Sequence, residues 1–564
     1  MSSYRTRERE LRACKLCANA KVKCEIEYGA PKCKRQSKEI LLLESKVNSI
    51  AHLLSSSAPS AAGNISPNVP QYVSEPVPAH TARYGHLPAL HIENKAILPD
   101  TQEAVTLLGI FCRDMAPLFP FVVAPSNVTP GQLAQEKPVL YMAIMVVTCQ
   151  SDTQRQLSLA KAFREEASRM ILVSGEKNLG ILQGLLVYLA WNQVHLQLSQ
   201  QFAAFLHLAY VMMVDLGLHK EPHISPHAAG LLRDLNRANA SVSMRTLEER
   251  RVLLGVFWLS SIMSTCSKEM SGIRFTRYVN QCWQVLQESL EYPTDMYLVQ
   301  LVRLQQFADT IGKSLYHDNP ETPPVMPATV PMCISWLEKE VQRVGDTLQL
   351  DIPQASLLMI SYHTVQIYLY KIALDDSLFP SSWTSNNTYP IVATDTLRHT
   401  DLLVRCLTAI KSLTDHFFSI TDHLIPSLPY PTWGQLGHSI MILRRLIAFK
   451  HEAWDTSYIS GTLNFRDLLN TLARRLEGVM RLGLQSNPIR QMPEIFGKLV
   501  ERLDEIARNT GETMASTSAG AVNAGDGAGG NGMVPDASLD DIGMLFDEET
   551  AQAMFQFFDL GMGM

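Results

Sequence analysis

The chain has 564 residues, of which 46% are hydrophobic and 18% are charged, and its formal net charge is −6. This length allows one small module and one large domain with a sizeable core, and the composition is ordinary for a soluble globular protein. The N-terminus has no apolar run and the chain has no stretch of 18 uninterrupted apolar residues, so neither a secretory signal nor a transmembrane helix is predicted.

The first predicted element is a basic head at residues 1–37 with four closely spaced cysteines. Cys14, Cys17, Cys24 and Cys33 follow the spacing C-x2-C-x6-C-x8-C. Two thiolates on one tight turn can take adjacent corners of a tetrahedron, and the other two complete a four-thiolate zinc site. The segment between the second and third cysteines predicts a short helix that carries Lys21 and Lys23 to DNA. The alternative is a solvated basic tail with incidental cysteines.

Further basic residues around the cysteines predict phosphate contacts and salt-dependent binding. They are Arg5, Arg7, Arg9, Arg12, Lys15, Lys32, Lys34 and Arg35. Residues 1–46 carry twelve Lys or Arg against six acids, whereas the tail from Asp536 carries seven acids and no Lys or Arg. A basic head and an acidic tail indicate a nucleic-acid contact at one end and a protein partner at the other.

Residues 38–55 predict a short coiled coil that forms a homodimer. Apolar residues at 3-4-3-4 spacing occupy its a and d positions, and they are Ile40, Leu43, Val47, Ile50 and Leu54. An ordinary amphipathic helix is the alternative, because two heptads are few for an independent dimer. Residues 56–97 are rich in Ser, Pro and Ala and predict a flexible linker.

Residues 98–510 predict a large all-α domain. Asp100 or Thr101 can cap the first helix, and residues 178–218 predict two long helices that are apolar nearly all round and therefore buried. Gly217 is expected to end the second of these helices. Proline clusters at residues 319–331 and 425–431 predict loops.

Another helix is predicted to begin at Thr246 and to continue through Trp258. Trp191 and Trp258 lie on helical stripes and are expected in the core. His219, which follows a Gly-Leu cap, is expected to bond helix-end carbonyls or to contact the helix dipole rather than to bind a ligand. Six singly placed cysteines are expected to be reduced core residues of an intracellular protein, and they are Cys112, Cys149, Cys266, Cys282, Cys333 and Cys406.

Residues 511–535 predict a second linker, and residues 536–564 interleave acidic with apolar residues. One interpretation is a solubilising terminus. The favoured interpretation is an activation segment that docks on coactivators, because exposed aromatic residues need a partner. Its docking residues are Leu545, Phe546, Phe555, Phe557, Phe558 and Leu560.

Enzyme signatures were searched along the whole chain. The sequence contains no G-x-S-x-G, no P-loop, no Rossmann glycine fingerprint and no H-E-x-x-H, and His451-Glu452 lacks the second histidine. The protein is therefore expected not to be an enzyme.

The head resembles that of the fungal binuclear zinc-cluster transcription factors, whose pattern is C-x2-C-x6-C-x(5–12)-C-x2-C-x(6–8)-C. The first four cysteines match, as does Pro31 before the fourth. The resemblance implies that Cys14 and Cys33 bridge two zinc ions, that Cys17 and Cys24 are terminal ligands, and that Lys21 reads a CGG triplet.

The chain also departs from that pattern. Gln36 stands where the fifth cysteine would fall, no sixth follows before Cys112, and Ala18 and Ala20 occupy slots that are commonly basic. The ligands present support one zinc ion, whereas the family implies two. Either a segment is missing between Arg35 and Gln36, which is the favoured explanation, or the head is degenerate.

The resemblance continues into the middle of the chain, where several segments are similar to the middle homology region of the same transcription factors and to the subgroup that activates secreted-protease genes. These segments are 116–122, 136–138, 182–191, 215–219, 248–251 and 257–258. The resemblance implies a domain that regulates, and one that can do so by binding an effector.

The sequence therefore predicts a nuclear, sequence-specific DNA-binding transcription regulator of fungal type. It is expected to be a dimeric activator on CGG half-sites, with a secondary-metabolite cluster or secreted hydrolases as its targets. The alternative is a helical co-regulator without DNA binding of its own, which pairs with full-length zinc-cluster factors through residues 38–55.

Overall fold

The computed structural model describes most of the predicted helical domain. The described ranges are 97–125, 127–191, 201–222, 245–266, 272–316, 330–375, 393–449, 454–486 and 496–508. All regular secondary structure within these ranges is helical, so the predicted all-α class is confirmed for them. None of the described helices is both long enough and apolar enough to cross a membrane.

The described residues form sixteen α-helices, numbered in chain order. They are α1 (Thr101–Ile110), α2 (Pro130–Glu136), α3 (Pro138–Thr148), α4 (Thr153–Ser168), α5 (Leu179–Ala190), α6 (Phe202–Asp215), α7 (Leu247–Cys266), α8 (Arg277–Ser289), α9 (Asp295–Leu315), α10 (Val330–Asp346), α11 (Ala355–Tyr370), α12 (Ala393–Ser419), α13 (Tyr430–Ala448), α14 (Thr456–Thr462), α15 (Phe465–Ser486) and α16 (496–508). Phe111–Met115 and Arg169–Val173 form π-helical turns, and Ala116–Leu118, Lys371–Leu374 and Asp422–Ser427 form 3₁₀ turns.

Side-chain caps set several of these helix ends, as the sequence predicts. Asp100 Oδ1 accepts a hydrogen bond from Glu103 N at 2.9 Å, so Asp100 rather than Thr101 caps α1. Asn178 Oδ1 caps α5 in the same way. At the end of α6, Gly217 has φ +65°, a left-handed conformation that glycine adopts at no steric cost, and it ends the helix as predicted.

The two helices predicted between residues 178 and 218 differ in burial. Helix α5 is buried from Gly180 to Ala190 and packs closely on α3. At this crossing a Cβ added to Gly184 would lie 2.8 Å from the Val139 carbonyl oxygen, which shows that only glycine allows the backbones to approach this closely. The prediction of full burial is wrong for α6, because Tyr210 is 42% and Val211 is 47% exposed.

Two tryptophans, Trp191 at the end of α5 and Trp258 in the middle of α7, pack against the π-helical and 3₁₀ segment that follows α1. Trp191 and Trp258 are both buried, which confirms the core role predicted for them. The Phe119 ring lies between them, with its centroid 6.0 Å from that of Trp191 and 5.9 Å from that of Trp258, both edge-on. This aromatic cluster therefore fixes the 111–122 segment against α5 and α7.

The second half of the domain is built on α11 and α12, which share the largest helix interface among the described elements. The proline-containing segment 425–431 is not the simple loop that the sequence predicts. It comprises the end of a 3₁₀ turn and the start of α13, where Pro431 is tolerated because a helix's first residues need no amide donor. The Ser427 carbonyl oxygen accepts a hydrogen bond from Trp191 Nε1 at 2.9 Å, which ties this half to the first.

Candidate functional site

The predicted metal, DNA, dimer and activation residues all lie outside the described residues. The four cysteines at 14, 17, 24 and 33, the basic side chains from Arg5 to Arg35, the heptad residues in 38–55 and the tail residues in 536–564 belong to this group. Within the described ranges, no group of three or more His, Cys, Asp or Glu side chains is placed to hold a metal ion. The candidate site that the structure does show is formed by the motif segments of the middle domain.

Three of these segments meet at one carboxylate on the first turn of α7. Glu248 Oε1 accepts a hydrogen bond from Lys137 Nζ at 2.5 Å and from Gln183 Nε2 at 2.8 Å. Gln183 is fully buried, while the Lys137 and Glu248 side chains are 26% and 34% exposed. Residues far apart in the sequence are thus joined by charge-assisted hydrogen bonds, which are stronger than neutral ones.

The start of α7 is fixed by a reciprocal cap. Thr246 Oγ1 accepts from Glu249 N at 3.1 Å, and Glu249 Oε2 accepts from Thr246 N at 2.8 Å, which confirms the predicted helix start. Arg245 binds Glu249 Oε1 at 3.3 Å and also donates to the Gly217 carbonyl oxygen at 2.5 Å. The carbonyl that ends α6 is therefore bonded by Arg245 and not by His219. His219 Nδ1 is buried and makes no hydrogen bond within the described residues.

One turn further along, Arg251 forms a buried ion pair with Asp295 at the start of α9. The guanidinium donates from Nε to Oδ1 at 3.0 Å and from Nη2 to Oδ2 at 2.8 Å, and the two side chains are 3% and 0% exposed. Glu291 lies 2.8 Å from Nη2, and the Tyr292 ring lies 4.6 Å from Cζ. Burial acts to lower the pKa of Arg251, but Asp295 and Glu291 outweigh it, so the pKa is raised and the guanidinium stays charged.

A second buried polar cluster surrounds Lys371, beside the C-terminal end of α7. Lys371 Nζ donates to the Thr265 carbonyl oxygen at 3.3 Å. Burial raises the pKa of Cys266 and of Cys406 to about 12, and it lowers the pKa of His438 well below its ordinary value. These groups are neutral near pH 7, and a neutral thiol is a poor nucleophile. Cys406 and His438 are buried, so these neutral side chains contribute to the packing of α12 and α13.

Sequence reasoning found the segments of this site but missed its partners. Asp295 and Glu291 were not singled out, although the buried pair of Arg251 depends on them. The only sequence signal for a buried pair was the run of two acids and two arginines at 248–251 on an otherwise apolar helix.

Comparison with known proteins places this site inside a family domain. A family model described as the WAR1 C-terminal domain matches residues 91–432. The chain belongs to this family. The matched range includes the hydrogen bonds to Glu248, the Thr246–Glu249 cap and the Arg251–Asp295 ion pair. These contacts therefore lie within the WAR1 C-terminal domain of this chain. A second model, described only as a C-terminal domain, matches residues 423–554.

Three curated relatives are all named as transcription factors. The chain is 27% identical over 381 residues to "Transcription factor opdL" of Penicillium oxalicum, which is 66% of this chain and 64% of that protein. It is 26% identical over 402 residues to "Transcription factor himD" of Aspergillus japonicus, or 71% of this chain and 65% of the relative. A transcription factor of Aspergillus terreus is 22% identical, with 67% and 56% of the two chains covered.

These matches confirm the fungal transcription-factor family that the middle segments indicate. The chain spans 64% and 65% of the length of the first two relatives, which is less than two thirds of each. No solved structure matches the chain.

Proposed function

We propose that the protein is a nuclear, sequence-specific transcription regulator that acts as an activator. The observation that carries the proposal is the convergence of the motif segments on Glu248 within a domain matched over residues 91–432 by one family, whose relatives here are named as transcription factors. The role assigned to this helical domain is regulatory rather than catalytic.

DNA binding is assigned to the basic head at residues 1–37. Four thiolates at zinc spacing fit one tetrahedral shell, and bound zinc would supply folding energy that a segment this short cannot obtain from its own core. Lys21 and Lys23 are proposed to read bases, with Arg12, Lys15, Lys34 and Arg35 as phosphate contacts. Without a fifth and sixth cysteine, the chain's own ligands account for one zinc ion rather than the two that the family resemblance implies.

The other assignments complete a dimeric activator. Residues 38–55 are proposed to pair two copies, so that each dimer reads two CGG half-sites, and residues 536–564 are proposed to bind coactivators. The proposed target genes are those of a secondary-metabolite cluster or of secreted hydrolases.

A test of the DNA-binding assignment uses the full-length protein. Zinc is counted by elemental analysis, and binding to a CGG-containing duplex is measured at several salt concentrations beside a duplex in which CGG is scrambled. We expect at least one zinc per chain, preference for CGG and a steep loss of affinity with salt. Replacing Lys21 by Gln should reduce the preference for CGG, whereas replacing Arg35 by Gln should weaken binding to both duplexes alike.

The alternative function is a co-regulator without its own DNA binding, and the glutamine at position 36 favours it. In that case the full-length protein binds neither duplex in a salt-sensitive way, but it still pairs with a full-length zinc-cluster factor, and this pairing is lost when Leu43 and Ile50 are replaced by Asp. For the tail, residues 536–564 fused to an unrelated DNA-binding domain should drive a reporter, and a silent fusion would contradict the activation assignment.

A further inference from the structure

One charged side chain on the first turns of α7 differs from its neighbours. Three of the charged residues there have partners of opposite charge, as buried or half-buried charges require. The pairs are Glu248 with Lys137, Glu249 with Arg245, and Arg251 with Asp295. Arg250 has no such partner, since no carboxylate in the described ranges lies within ion-pair distance of its guanidinium.

Arg250 is nevertheless buried, with only 8% of its surface exposed. Its Nη1 lies 3.4 Å from Cys282 Sγ on α8, and its Nε is buried and has no hydrogen-bond partner among the described residues. A guanidinium carries five N–H donors and is always charged, so a single bond to sulfur leaves most of its hydrogen-bonding capacity and all of its charge unmatched.

Cys282 cannot supply the missing charge. Burial raises the pKa of its thiol above the ordinary value, although Tyr278 and Arg250 act to lower it. Tyr278, one turn earlier on α8, is near enough to Cys282 to act on the pKa of this thiol. The sulfur that Arg250 meets is therefore a neutral thiol, which is a weak acceptor.

Arg245 adds positive charge near this site. It acts to lower the pKa of both Tyr278 and Cys282, and its own Nε is buried without a hydrogen-bond partner among the described residues. The N-terminal end of α7 adds the partial positive charge of its amides. The Glu249 carboxylate is already bound to Arg245.

We propose that Arg250 and Tyr278, next to Cys282, form a binding site for a small oxoanion between α7 and α8. A carboxylate or a phosphate presents two oxygens to the guanidinium fork and accepts the tyrosine hydroxyl as well, so it matches both the charge and the donor geometry. Chloride, with one centre and no fork, fits less well.

The site lies beside the bond from Arg245 to Gly217, which joins the end of α6 to the start of α7. An anion bound at Arg250 would add a negative charge there and so favour the arrangement in which both arginines are held. That regulatory consequence rests on the proposed function, because it makes the oxoanion an effector of the transcription regulator. The binding itself rests only on the contacts of Arg250.

The experiment measures thermal unfolding and calorimetric binding of the full-length protein with inorganic phosphate and, separately, with acetate, at constant ionic strength in chloride. At least one anion should raise the unfolding temperature in a saturable way, and the arm that does so identifies phosphate or carboxylate as the ligand chemistry. Arg250→Gln should weaken that binding at least about tenfold, since a hydrogen bond to a charged group contributes that much.

Two further variants make the result decisive. Arg474→Gln is the matched control. In the part of the chain that the structure describes, this exposed arginine of α15 bonds the Asn470 carbonyl and the Thr471 hydroxyl and no carboxylate, so the variant should bind the anion as the unmodified protein does. Tyr278→Phe removes one donor and keeps the guanidinium, so its binding should be weaker than that of the unmodified protein but stronger than that of Arg250→Gln. If Arg250→Gln does not fold, the anion binding of Tyr278→Phe is compared with that of the unmodified protein instead.

No saturable effect of either anion on the unmodified protein overturns the proposal. Binding by Arg250→Gln that equals that of the unmodified protein also overturns it, as does equal binding by Tyr278→Phe where Arg250→Gln does not fold. Anion binding is measured without DNA, so a failed DNA-binding or reporter test leaves it untouched. The reverse also holds, because loss of the anion effect with intact DNA binding refutes only this site.

Discussion

Arg250 and Arg251 are adjacent on α7, yet they meet opposite surroundings. Arg251 points to α9 and is enclosed by Asp295, Glu291 and the Tyr292 ring, whereas Arg250 points to α8 and meets a neutral thiol. The first arrangement is complete without any ligand, which is typical of a structural pair. The second contains no carboxylate among the described residues, and it is there that we propose an anion to bind. The comparison teaches that charge matching, rather than burial, separates the structural pair of this site from the proposed binding position.

The largest effect is expected from breaking the ion pair between Arg251 and Asp295. Asp295→Ala leaves the Arg251 guanidinium buried without its main partner and should reduce the free energy of unfolding by about 3–5 kcal/mol. Urea unfolding followed by circular dichroism measures this. Glu291→Gln is the control, because its side chain is 46% exposed and an exposed pair contributes about 1 kcal/mol or less. Equal losses in the two variants would contradict the assignment of Asp295 as the essential partner.

Acid sensitivity is expected from a different region and can be separated from the α7 pairs. His363 on α11 stacks on His416 of α12, with ring centroids 5.3 Å apart, and burial lowers the pKa of His363 to about 4. The unfolded chain, in which a histidine titrates near its ordinary value of 6.5, binds the proton more readily, so stability falls as the pH drops from 6.5 towards 4.

Between pH 7 and pH 5 this histidine should account for about 2 kcal/mol of lost stability. Urea midpoints at the two pH values measure it, and His363→Gln should flatten the dependence by that amount. If the variant keeps the full pH dependence, the acid-sensitive group lies elsewhere, and the α7 pairs become the first place to look.

A smaller effect is expected at Glu248. Glu248→Gln keeps the size of the side chain but replaces the charge that Lys137 binds, and it should cost about 1–2 kcal/mol because the pair is only half-buried. The loss should shrink in 1 M salt, where exposed charge pairs are screened. A loss that does not change with salt would mean that the Gln183 bond, rather than the ion pair, dominates.

The smallest effect on stability is expected from replacing Arg250. In chloride buffer, Arg250→Gln should change the free energy of unfolding by less than about 1 kcal/mol and can increase it, since the substitution removes a buried charge that nothing compensates. The same urea experiment measures this. A loss as large as that of Asp295→Ala would show that Arg250 is already satisfied and would remove the contrast with Arg251.

Local rules predicted the local features of this domain. The Thr246 start, the Gly217 end and the burial of Trp191 follow from capping chemistry and helical periodicity, which depend on residues a few positions apart. The partner of Arg251 could not be predicted, because Asp295 is 44 residues away and meets it only through the way α7 crosses α9. The incorrect prediction that α6 is fully buried has the same origin. Hydrophobic periodicity shows which face of a helix is apolar, but it does not show whether another element covers that face.

The head and the tail remain predictions, because the motifs that define them fall on residues outside the described ranges. The cysteine spacing is a strong local signal for zinc, but the glutamine at position 36 makes the number of ions a question for measurement. The middle domain is the reverse case, because its sequence segments alone indicate the family, and their contacts add to that assignment.

The hydrogen bond from Trp191 to Ser427 bears on how this protein can be divided. The two family models overlap at residues 423–432, which suggests a natural place to cut the chain into two modules. Ser427 lies in that overlap, and Phe417 and Trp433, on either side of it, pack with ring centroids 5.5 Å apart. A cut there would pass through a shared interior, so the two halves are expected to be inherited, exchanged and lost together.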